Sequence, residues 1–202
     1  ALLAMHARDW ERAGALAYVS LARGTVSPIM LGTMLAAIRM HARVTGDTHR
    51  ARLVAEELAG VTWDPSGRPA LPGGSPIRET VVALADLLIL DGDQERGRRL
   101  LAELIARMYH EVNQEGRPEF WYFRWNTVAL ALNGDRMAAL EMLERSLASA
   151  QQYSDWWWYE AEPAFDGLRN DPRFQVLVRK ARAHADAQRH ELDRMRADGL
   201  VP

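Results

Sequence analysis

The chain has 202 residues, 48% hydrophobic and 26% charged, with a formal net charge of −2. This is the composition of an ordinary folded protein, with enough chain to hide roughly 70% of its unfolded surface, and the acidic balance argues against general affinity for nucleic acid, for which a basic domain is expected. Cysteine is absent, which excludes disulfides, thiolate metal sites and cysteine nucleophiles, and the longest apolar run, Val81 to Leu90 with Asp86 inside it, falls well short of the ~20 residues that span a bilayer.

In chain order, Ala1 to Ala7 reads as the end of a helix, with no basic leader or cleavage pattern of a signal peptide. The chain is therefore expected to be a fragment whose N-terminal part is missing. Arg8-Asp9 is a turn, and Trp10 to Ala22 is a helix with Ala13, Leu16 and Val19 on its apolar face. Ser27-Pro28 starts the next helix, Ser as N-cap and Pro in the first turn, which runs to about Val44. Thr45-Gly46-Asp47 turns the chain: Gly takes the left-handed conformation that ends a helix, and the Asp side chain caps the next one. That second helix reaches about Ala59.

From 61 to 76 the chain carries Pro65, Gly67, Pro69, Pro72, Gly73, Gly74 and Pro76, which no regular helix survives. The segment reads as a loop, its stretch from Leu71 to Ser75 as a flexible connector, with Trp63 placed to pin one end against a neighbouring hairpin. The third hairpin turns at Asp91-Gly92-Asp93 and ends at Glu115-Gly116-Arg117-Pro118. The fourth turns at Asn133-Gly134-Asp135. After Trp156-Trp157-Trp158-Tyr159 comes a last, highly charged helix. The expected hairpins are thus 1–23, 27–60, 77–114 and 119–150, followed by a cap over 155–198, all within one domain over 1–202.

The Gly-Asp tag at Gly46, Gly92 and Gly134 recurs at intervals of about 40 residues, the period of helical-hairpin repeats, with Arg8-Asp9 as a degraded copy. Five positions past each turn Gly stand Ala51, Gly97 and Ala139, and the same count from Arg8 gives Ala13. A small side chain there lets the two helices of a hairpin approach; a large one costs ~1–3 kcal/mol. Three positions further come Leu16, Val54, Leu100 and Met142, apolar knobs in one register. With turn, small residue and knob aligned, the chain resembles the tetratricopeptide-repeat (TPR) superfamily. The resemblance implies an all-α, TPR-like α-α superhelix of stacked antiparallel hairpins with a C-terminal capping helix.

The segment from Glu162 to Phe174, EPAFDGLRNDPRF, is similar to one that closes TPR-like regions of bacterial signalling proteins and transcription regulators. That resemblance implies a module of a larger bacterial regulatory protein, in the cytoplasm, or in the periplasm if the whole protein is a membrane-anchored sensor. In physical terms Phe165, Leu168 and Phe174 fasten the tail to the preceding hairpin, while Asp171-Pro172 caps and opens the last helix.

Stacked hairpins present surface for binding, so the expected function is a non-enzymatic protein-interaction or sensory module. Its partner is a protein or peptide, or a second copy of the chain, with no direct nucleic-acid binding by this fragment and no membrane insertion. In Phe120-Trp121-Tyr122-Phe123-Arg124-Trp125 successive side chains turn by 100° and cover the whole helix, so the helix is either buried between neighbours or shows rings to solvent. Trp and Arg dominate binding hot spots, which makes Trp121, Arg124, Trp125 and Trp157 the candidate partner-binding residues. The alternative function is a small-molecule sensor with an aromatic pocket between hairpins. Glu160, Glu162 and Asp166 form an acidic group suited to capping and solvation. Since His184 and His190 are six apart and the remaining histidines are isolated, no metal site is expected. Neither a catalytic motif nor a cofactor motif is present.

Overall fold

A computed structural model of the chain describes residues 1–24, 26–73, 77–116, 123–148 and 156–201. They form helices α1 (Leu2–His6), α2 (Trp10–Ala22), α3 (Pro28–Thr45), α4 (Thr48–Ala59), α5 (Ile77–Leu90), α6 (Gln94–Asn113), α7 (Phe123–Leu132), α8 (Arg136–Ala148), α9 (Trp156–Ala161) and α10 (Pro172–Ala197), with a 3₁₀ helix over Pro163–Leu168. Strands are confined, among the described residues, to β1 (Thr62–Trp63) and β2 (Pro69–Ala70). The protein is all-α. Among the described residues no helix is long and apolar enough to cross a membrane. The chain divides into two compact units, Ala1–Arg117 and Pro118–Pro202. The division falls at the Gly116-Arg117-Pro118 break.

The repeated turn is realised in backbone detail. Gly46, Gly92 and Gly134 take φ of 77°, 94° and 84°, and each following aspartate accepts a backbone N–H one turn into the next helix. Asp47 accepts from Arg50 at 3.4 Å, Asp93 from Arg96 at 3.3 Å and Asp135 from Ala138 at 3.1 Å. In the degraded copy Asp9 still caps, accepting from Arg12 at 3.1 Å, but Arg8 holds the left-handed position with φ 56° and is the only non-glycine to do so among the described residues. A side chain there costs about 1–2 kcal/mol. Arg8→Gly is therefore expected to raise stability by about 0.5–1 kcal/mol after the extra freedom of glycine in the unfolded chain is charged against it. A urea midpoint that stays put or falls would mean that contacts of the Arg8 side chain repay the strain.

The small residues sit at close crossings. Ala13, Ala51 and Ala139 are completely buried, and a Cβ on Gly97 would lie 2.6 Å from Ile89 Cγ1 and 2.8 Å from the Ala85 carbonyl oxygen. Among the knobs, Leu100 and Met142 are buried and Val54 is half-buried. Leu16 and Val19 depart from the expectation: they are 41% and 47% exposed. The reason is that α2 packs on α3 through its small face, Ala13, Gly14, Ala17 and Tyr18. A Cβ on Gly14 would fall 2.3 Å from His41 Cβ, so the helices meet where α2 carries least bulk. Leu16 is left on the other side, lining a groove of about 470 Å³ with Leu2, Leu3 and Asp9.

Within the first unit α5 packs against α3, α4 and α6. Its interior is Leu35, Ile38, Val81, Leu84, Leu88 and Leu101, all at most 1% exposed. Asp86, also fully buried, is gripped across this layer by two arginines one helical turn apart on α3. Arg39 Nε donates at 2.8 Å and Arg43 reaches the other carboxylate oxygen at 2.7 Å.

Within the proline- and glycine-rich segment, Thr62 to Ala70 form a small ribbon. β1 and β2 pair antiparallel, Thr62 opposite Ala70 and Trp63 opposite Pro69. Asp64 closes the turn by accepting from the Ser66 hydroxyl and from the N–H groups of Ser66 and Arg68, and these bonds, the hydroxyl's first, hold its carboxyl below the usual carboxylate range. Three arginines of α6 then fix the ribbon. Arg96 stacks its guanidinium 4.3 Å from the Trp63 ring centroid, Arg99 donates to the Ser66 and Gly67 carbonyls at 3.1 and 3.2 Å, and Arg107 donates to the Pro72 carbonyl at 2.7 Å. Carbonyls left without strand partners are thereby satisfied, and Trp63 does pin one end, as expected.

Candidate functional site

In the second unit, α7, α9, the 3₁₀ helix and the start of α10 bring their rings together. On α7, Phe123 and every residue from Trp125 to Leu130 are buried, so this part of the helix is enclosed by neighbours and does not display its rings. On α9 the 100° step splits the aromatic run: Trp158 and Tyr159 are buried, whereas Trp156 and Trp157 are half-exposed.

Trp158 is the hub. Its ring meets Trp125, Tyr159 and Phe165 edge to face, with centroid separations of 6.1, 5.8 and 5.7 Å, the arrangement that ring quadrupoles favour. Phe165 passes the contact on to Phe174 at 5.6 Å. Phe165, Leu168 and Phe174 are at most 3% exposed, so the tail is fastened as the sequence indicates. Asp171 caps α10 by accepting from the Arg173 N–H at 2.9 Å.

Two guanidinium groups lie over rings at the edge of this cluster. Arg124 stacks 4.0 Å from the Trp158 centroid and 5.5 Å from that of Trp125. Arg182 of α10 stacks 4.3 Å from the Trp156 centroid and pairs with Glu160 at 2.9 Å. A half-buried cation on an indole face contributes about 1 kcal/mol or more. Two members of the acidic group meet arginines, Glu160 pairing with Arg182 and Asp166 with Arg169. Arg169 bonds Asp166 at 2.8 Å and the backbone carbonyls of Glu160 and Glu162, and Glu162 caps the 3₁₀ helix through the Ala164 N–H at 3.2 Å.

The four candidate residues thus have different placements. Trp121 lies outside the described residues. Trp125 is 8% exposed and belongs to the core. Arg124 and Trp157 are half-exposed and retain surface that a partner can touch. Comparison with known proteins finds no matching family, no matching curated protein and no matching solved structure.

Polar arrangements in the first unit escape sequence reasoning. Glu111 is buried between Arg78, which bonds one carboxylate oxygen, and Arg107, which donates to the other at 2.9 Å. Burial alone pushes the Glu111 carboxyl up, but the bonds and charges of the two arginines outweigh it and hold the group below the usual carboxylate range. Tyr18 is 8% exposed; it meets His41 edge to face at 5.8 Å and carries the Arg50 guanidinium 4.2 Å from its centroid. Burial pushes its phenol up, the Asp47 charge adds to this, and Arg50 opposes it. The only signals in the sequence for these groups are charges at apolar-face positions, as at Asp86 inside the run from Val81 to Leu90.

Proposed function

We propose that the chain is a non-enzymatic interaction and sensory module of a larger bacterial regulator, a TPR-like array of hairpins with α10 as its cap. The observation that carries this reading is the fourfold recurrence of one device: a left-handed residue at Arg8, Gly46, Gly92 and Gly134, a capping aspartate after each, and a buried small residue beyond. Repetition of this kind builds extended surface. A protein or peptide engages the second unit through Trp121, Arg124 and Trp157, while Trp125 supports Arg124 from the core. Occupancy favours one arrangement of the array, and the attached effector reads the difference.

The test is capture and crosslinking of proteins from a bacterial extract on the whole chain, repeated with Trp121→Ala, Arg124→Ala and Trp157→Ala at matched thermal stability. The expected result is a partner whose recovery falls at least about tenfold in these variants, a typical hot-spot loss. Undiminished recovery in all three sinks the assignment. If instead a metabolite quenches several of the seven tryptophans at one-to-one stoichiometry, the pocket sensor replaces the interaction module.

A further inference from the structure

We propose that the outer half of α10, from Ala185 to Ala197, pairs in parallel with the same segment of a second copy as a short two-stranded coiled coil. The segment contains none of the residues proposed above for partner binding and does not depend on what they bind.

Phe174, Leu177, Val178 and Ala181 anchor α10 in the second unit, and no residue of the helix beyond Ala181 is buried. From 182 to 197 it runs on for about 24 Å. A helix of that length without a packing face is marginal in water, yet this one has a fully formed end. Gly199 is left-handed at φ 70°, its N–H bonds the Arg196 carbonyl at 3.0 Å, and the Leu200 N–H bonds the Met195 carbonyl at 2.9 Å, the closing motif of a helix of defined length. Leu192 and Leu200 stand 39% and 69% exposed beside it.

The stripe that faces the core does not stop where the core does. Val178, Ala181, Ala185, Gln188, Leu192 and Met195 follow one another at alternating steps of three and four, the a and d positions of a coiled coil. Its inner third is spent on the unit's own core, and the rest is free for a partner. The flanking charges choose the partner and its direction. All three e positions are arginine (Arg182, Arg189, Arg196), and the g positions are His184, Glu191 and Asp198. In a parallel pair each Glu191 meets Arg196 of the other copy, whereas an antiparallel pair sets arginine against arginine and Glu191 against Glu191. Gln188 adds the same preference: in parallel it faces its own counterpart, donor to acceptor, and in antiparallel it faces Leu192 with its amide unmet. Glu191 presently bonds Arg194 on its own helix, an exposed pair that costs little to exchange.

The chain holds no cysteine, so a single introduced thiol reports proximity unambiguously. Sedimentation of the whole chain over a concentration series is expected to show reversible passage from 22.8 kDa to twice that mass. Leu192→Asp should lower the association constant at least about tenfold. Glu191→Arg and Arg196→Glu should each weaken it, and the two together should restore it. Under mild oxidation Gln188→Cys should crosslink to its counterpart, and His190→Cys, on the outer face, should not. These surface positions leave the unit's core untouched, so loss of folding does not confound the reading. A chain that stays monomeric at the highest concentration, a dimer indifferent to Leu192→Asp, or Gln188→Cys that fails to crosslink overturns the proposal.

Discussion

Replacing Asp86 by alanine is expected to cost about 3–5 kcal/mol of folding stability, because breaking a buried ion pair strands its partner charge. Arg39 and Asp86 have side chains 2% and 1% exposed, and Arg43 completes the grip from 2.7 Å. Removing the carboxylate takes away the charge on which two arginines converge in a layer made largely of apolar side chains. The cavity left by the missing atoms is the smaller part of the effect. Equilibrium unfolding in urea, followed by far-UV circular dichroism, measures it. A loss under about 1 kcal/mol would show that water or other groups take over the arginines, and the carboxylate would then not be what holds α3 to α5.

The second large effect is Trp158→Ala. Its ring is 2% exposed and touches Trp125, Tyr159 and Phe165 while carrying Arg124 on its face. Truncating a buried aromatic costs about 3–5 kcal/mol, and here the edge-to-face contacts and the cation go with it. The second unit is expected to lose its near-UV dichroism and unfold at lower denaturant. Trp158→Phe, which keeps part of the cluster, should retain more of the stability. Equal losses in the two variants would place the energy in the indole's polar edge instead of its packing.

The turns were legible in the sequence because their physics is local. A left-handed position and a capping carboxylate are set by neighbouring residues, so Gly46-Asp47, Gly92-Asp93 and Gly134-Asp135 can be read without knowing the fold. The four small residues follow from the same count, and all four are buried. What failed was the choice of face on α2: three apolar positions suggested Leu16 and Val19, but close approach to α3 selects the stripe with Gly14 and Ala17. The ion pairs were hidden for a different reason. Asp86 and Arg39 are 47 positions apart, and nothing local to either announces the other. The ribbon from Thr62 to Ala70 was legible only as a loop, since its order comes from Arg96 and Arg99 on a helix that follows later. Of the candidate site, the aromatic cluster itself was visible and the division of its members between core and surface was not, because a run of consecutive rings specifies every direction around the helix at once.

The separation of Asp86 from its arginines has a kinetic consequence. Each hairpin turn closes over a few residues, while the bond between α3 and α5 needs both helices present and nearly dry before it repays the desolvation of three charges. It is expected to form in the last steps of assembly, on the native side of the folding barrier. The cost of Asp86→Ala should then fall on the unfolding rate and leave the folding rate almost unchanged, which makes this carboxylate a brake on opening and not a guide to folding.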